Sequence, residues 1–131
     1  MSLLRVFSSL ALSSMLVACA ATAGNDRIAD VSQTNLSASV VKGKTTQAQI
    51  RQLYGDPIKT SFTDSGNETW EYEFTYMQAK AQNYIPYVNL INSGAEGDKK
   101  SIVFLFDKNK VVQNYTLSNS KIDVSRGLIT R

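Results

Sequence analysis

The stretch from Glu68 to Tyr76 constrains this chain more than any other. Trp70, Tyr72, Phe74 and Tyr76 recur at every second position, with Glu71 and Glu73 between them. Successive side chains of a strand point to opposite faces, so the aromatic groups share one face and the carboxylates the other. A helical period would scatter the same residues around the axis. One dry face and one wet face is the pattern of an antiparallel sheet covered on a single side. The rest of the chain must therefore supply neighbouring strands and a cover for the aromatic stripe.

Neighbouring strands are legible on both sides. Thr60 to Thr63 reads as a strand, joined to the aromatic one by the turn cluster Asp64-Ser65-Gly66-Asn67. Ser101 to Phe106 carries Ile102, Phe104 and Phe106 on one side and Val103 and Leu105 on the other, which points to a central position. Asp107-Lys108-Asn109-Lys110 reads as a hairpin turn with Asn109 as its left-handed residue, and Val111 to Leu117 returns as a strand. The cover comes from upstream. Thr46 and Gln49 have capping-box spacing, Ile50, Leu53 and Tyr54 lie on one helical face, and Gly55 and Pro57 end the helix. Leu36, Val40 and Val41 mark a second short helix within Val31 to Val41. The expected class is α+β in two layers: two short N-terminal helices packed on a three-stranded antiparallel β-meander, after a cleaved signal peptide. Past Ser118 the chain is polar, with Ile122, Val124, Leu128 and Ile129 as isolated apolar points.

The first residues carry a different message. Arg5 precedes a short apolar stretch, Val6 to Val17, and small Ala18 stands before the only cysteine, Cys19. That stretch is shorter than the roughly 20 apolar residues needed to span a bilayer. Leu16-Val17-Ala18-Cys19 resembles the lipobox of bacterial lipoproteins, in which cleavage before the cysteine is followed by its acylation. More than one acyl chain gives a stable anchor, whereas one chain binds reversibly. In that class, Ala20 after the cysteine implies the outer membrane. The expected divisions are a signal peptide over 1–18, a lipidated flexible tether over 19–33, a folded domain over 34–120 and a C-terminal tail over 121–131.

Composition narrows the chemistry. The chain of 131 residues has room for one domain, contains no histidine, and cannot form an internal disulfide with one cysteine. Loss of Arg5 with the signal leaves 13 of the 14 basic residues against 11 acidic ones, and they are scattered. No nucleic-acid partner is expected from that balance. No catalytic set, cofactor site, metal site or small-molecule substrate is expected either. Glu71 and Glu73, with Asp64 and Glu68 nearby, read as a solvated face, and Asp107-Lys108-Asn109 as a turn rather than a calcium loop.

Gly43-Lys44-Thr45-Thr46, Ile50, Gly55-Asp56-Pro57, Trp70-Glu71-Tyr72 and Phe106-Asp107-Lys108-Asn109 followed by Val112 together resemble the SmpA/OmlA (BamE-like) outer-membrane small lipoproteins. The resemblance covers roughly Val40 to Leu117. It implies a non-enzymatic lipoprotein at the outer membrane, facing the periplasm, with an accessory or scaffold role in outer-membrane protein assembly or envelope integrity. Its implied partners are membrane lipid, through acylated Cys19, and an envelope protein such as the barrel-assembly machinery. The alternative is a lipoprotein binding module of another envelope, secretion or mobile-element system, or an inhibitor of an envelope enzyme. The connection Met77 to Lys99 is far longer than a hairpin turn. Tyr84, Ile85, Tyr87, Val88, Leu90 and Ile91 within it form a candidate surface for a partner or for lipid.

Overall fold

The computed structural model describes residues 20–80 and 92–127, without the side chains of 92, 93, 126 and 127. Among these, β1 (Ala20–Gly24), β2 (Lys59–Phe62), β3 (Glu68–Ala79), β4 (Asn92–Phe106) and β5 (Val112–Gly127) form one sheet. All of its pairings are antiparallel. Helices α1 (Gln33–Ser39) and α2 (Gln47–Tyr54) are short, and a 3₁₀ turn spans Asp26–Ile28. The spatial order is β1-β3-β4-β5, with β2 beside the opening residues of β3 and β1 beside its closing ones.

This overturns the expected pair of helices on a three-stranded meander: the described chain is mostly antiparallel sheet, with five strands and two helices of 7 and 8 residues. Three segments account for the difference. Ala20–Gly24, expected as part of a flexible tether, pairs with Phe74 to Gln78 as β1. Asn92 to Lys99, read as part of a connection, lies in the first half of β4, although Gly94, Gly97 and its charges give it little strand propensity of its own. It lies between two templating neighbours, β3 and β5. Gly97 is needed there, since a Cβ would come within 1.9 Å of the Tyr76 carbonyl oxygen. Finally, β5 runs to Gly127, through residues assigned in part to a polar tail.

The core sits where the helices meet one end of the sheet. Trp70 and Tyr72 of β3, Ile102, Phe104 and Phe106 of β4, and Val112 of β5 are buried with Ile28, Val31, Leu36, Val40, Ile50 and Tyr54 from the covering layer. The rings interlock: Tyr54 stacks on Phe104 at 5.9 Å, and Trp70 meets Phe106 edge-on at 5.0 Å. Such pairs contribute beyond their buried area, by about 0.5–1.5 kcal/mol. Phe74 is only partly buried against this core, and Tyr76 lies beyond it. Among the described residues, the second half of the sheet therefore extends past its cover.

The turn after Phe106 differs from expectation in one residue. Lys110, not Asn109, adopts the left-handed conformation, at φ 61°. The Asp107 carboxylate accepts from the amides of Asn109 and Val111 at 2.8 and 3.0 Å, which fixes the chain and leaves the reversal to Lys110.

Candidate functional site

Two regions gather polar side chains. The first surrounds Trp70, at the helix-covered end. Its indole N–H donates to Glu68 Oε1 at 2.8 Å, and Gln47 Nε2 of α2 donates to Glu68 Oε2 at 2.7 Å. Arg51, one turn after Gln47, lies 4.8 Å from the Trp70 ring and pairs with Asp56 at 3.0 Å. The two hydrogen bonds, supported by Lys110 and Arg51, hold the Glu68 carboxyl below its ordinary range. A shallow cleft of about 300 Å³ opens here, bounded by Thr46, Gln47, Arg51, Trp70, Asn109 and Lys110. The carboxylate is occupied as an acceptor, so the arrangement ties α2 to β3 and presents Lys110 and Arg51 at the rim.

Glu68 thus does not belong with Glu71 and Glu73. It shares the parity of Trp70, and so its strand face, which is the signal the sequence carried. Glu71 pairs across the sheet with Lys59 and Val103, and Glu73 forms an ion pair with Lys99 at 2.8 Å. The roles of Gln47 and Arg51 were not read from sequence. Their spacing of four places them on one helical face, but nothing local says which strand that face meets.

The second region is the half of the sheet that no helix among the described residues covers. On the side continuous with the aromatic stripe, Tyr76, Gln78, Glu96, Asp98, Lys121 and Asp123 border a cavity of about 280 Å³. Lys80 holds both oxygens of Asp123 at 2.7 Å. On the opposite side, the register aligns Ala21, Met77, Gly97 and Ile122 in one row across four strands, and Ala79, Ala95 and Val124 in the next. One end of this half-sheet is polar on one face and apolar on the other.

Cys19 lies outside the described residues, directly before Ala20, which opens β1 opposite Gln78. Tyr84, Ile85, Tyr87, Val88, Leu90 and Ile91 also lie outside the described residues, between Lys80 and Asn92.

The remaining shifted groups have structural causes. Tyr72 is pushed up to about 12, chiefly by burial, and its hydroxyl donates to the Gly55 carbonyl at 2.8 Å. Tyr54 is raised by burial and by nearby Tyr115. Among the described residues no three acidic, cysteine or histidine side chains are grouped to hold a metal ion, and no helix is long and apolar enough to cross a membrane. Compared with known proteins, the chain matches no family model, no curated protein and no solved structure.

Proposed function

We propose that this chain is a non-catalytic lipoprotein of the outer membrane, anchored through acylated Cys19 and facing the periplasm. In this reading it acts as an accessory or scaffold in envelope or outer-membrane protein assembly, as the SmpA/OmlA-like residues imply. The observation that carries the reading is the order Leu16-Val17-Ala18-Cys19 at the end of a short apolar stretch headed by Arg5. A lone cysteine in an exported domain is otherwise a free reactive thiol. The non-catalytic part is supported by two of the three groups among the described residues whose acidity is shifted. Glu68 is committed to Trp70 and Gln47, and Tyr72 to Gly55.

The test is metabolic labelling with a palmitate analogue, followed by membrane fractionation and capture of partners. Native chain is expected to take up label, to fractionate with the outer membrane and to bring down barrel-assembly subunits. Cys19→Ser is expected to lose the label and to leave the membrane fraction. Label on the Cys19→Ser chain, or none on the native one, overturns the anchor. A labelled chain that enriches no assembly subunit overturns the accessory role and leaves the anchor standing.

A further inference from the structure

Strand β5 is the outermost strand on its side of the sheet. Its first residue is taken, since Gly43 donates to the Val112 carbonyl and Val112 donates to the Thr45 carbonyl, each at 2.8 Å. From Thr116 to Ser125, nothing among the described residues pairs with its outer edge. The Tyr115 amide donates to the Asn114 side chain at 3.0 Å, so it is turned away from β4. Successive residues of a strand direct their amides and carbonyls to opposite edges. The backbone groups of Leu117, Asn119, Lys121 and Asp123 therefore share this open edge. Natural sheets protect such edges with proline, bulges or repeated charge, because an open edge templates another strand. Among the described residues the one bulge of β5 is at its start, beside Phe106, and no proline follows.

The side chains along the edge are self-complementary. The apolar row Ala21, Met77, Gly97 and Ile122 ends at the edge with its branched residue, and Val124 beside it is 48% exposed. On the other face, Lys121 and Asp123 stand two residues apart with opposite charge.

We infer that β5 pairs antiparallel with β5 of a second copy of this chain, about a two-fold axis at Ile122. In that register Ile122 meets Ile122, Lys121 meets Asp123 in both directions, and Ser120 meets Val124. Centring one residue earlier sets Lys121 against Lys121, and one residue later sets Asp123 against Asp123, both of which are repulsive. The axis at Ile122 also joins the two apolar rows into one. Ile122 turns its own backbone groups toward β4, so the central pair is not hydrogen-bonded and its Cα atoms approach to about 4.5 Å. Asp123 keeps Lys80 as an internal partner, and a carboxylate has acceptor sites for both cations. This inference needs no assumption about the anchor.

The experiment uses the full chain with Cys19→Ser, so that any thiol is an introduced one. Ile122→Cys is expected to form an intermolecular disulfide on mild oxidation, its separation lying within the usual range of about 4.4–6.8 Å. Ser118→Cys is not, because two copies of residue 118 stand about 27 Å apart in this register. In sedimentation velocity, Lys121→Asp is expected to weaken the dimer about tenfold, and Asp123→Lys added to it is expected to restore the association. Retention of the thermal transition shows that each variant folds, and the charge pair decides the matter if Ile122→Cys does not fold. A chain that sediments as a monomer at about 100 μM, equal cross-linking at 118 and 122, or a charge swap without restoration overturns the inference.

Discussion

Glu68 is the residue at which local chemistry and tertiary structure meet. Its two oxygens accept separately, one from the Trp70 indole and one from Gln47, so a strand and a helix are joined through one carboxylate. Ionisation strengthens both bonds, which is why the carboxyl titrates below its ordinary value of 4.5. A carboxyl with a depressed folded value stabilises the fold above the unfolded value, and that stabilisation is lost as pH falls through the folded one. Glu68→Gln is therefore expected to lower the melting temperature most at neutral pH. The gap from the native chain should close as pH drops below 4.5. Thermal scans between pH 7 and 3 check this. A gap that stays constant shows that the amide fails for reasons of shape, not charge.

Helix α2 shows what local sequence decides. Eight residues do not hold a helix in water, so its ends and its docking face carry it. Thr46 accepts from the Gln49 amide at 3.3 Å, and the Gln49 side chain accepts from the Thr46 amide at 2.9 Å. Thr46→Ala removes the first of these and is expected to cost about 1 kcal/mol in urea unfolding. Thr46→Ser is expected to recover most of it. This helix was legible because its start, its stop and two residues of its docking face, Ile50 and Tyr54, are written within Thr46 to Pro57, although Leu53, read on the same face, is exposed and Gln47 is buried in its place. The aromatic stripe of β3 was legible for the same reason. The first half of β4 was not, because Gly94, Gly97, Lys99 and Lys100 belong to a strand only through neighbours at both sides. The Trp70 corner was half legible: strand parity gives Glu68 and Trp70, while Gln47, Arg51 and Lys110 converge through packing between elements. Contacts of that kind leave no local period to read.

At the scale of the whole molecule, β1 decides how the domain relates to its N-terminus. Small residues between a signal and a domain read as a tether because they bury too little to offset their ordering entropy. Ala20–Gly24 escapes that argument by taking its hydrogen bonds from the exposed edge of β3, whose Phe74 to Gln78 would otherwise be bare on that side. Asn25 continues the pairing through the Glu73 carbonyl at 2.8 Å, and Ile28 is fully buried three residues later. Gly24 permits the approach: its φ is 95°, and a Cβ would come within 2.2 Å of the Glu73 carbonyl oxygen. Removal of residues 20–24 should leave a tethered domain unchanged but should weaken this one. In purified chains without the first 19 residues, the further loss of 20–24 is expected to lower the melting temperature by about 5 °C or more. It should also raise aggregation, since the freed half of β3 becomes a second open edge. Gly24→Val is expected to act in the same direction with the strand still present. An unchanged melting temperature after both changes means that β1 adds no stability and that Cys19 is joined to the domain through a free segment. A fall in both means that the fold begins at Ala20, paired with Gln78, and that residues 20–24 are part of the sheet and not a free segment before it.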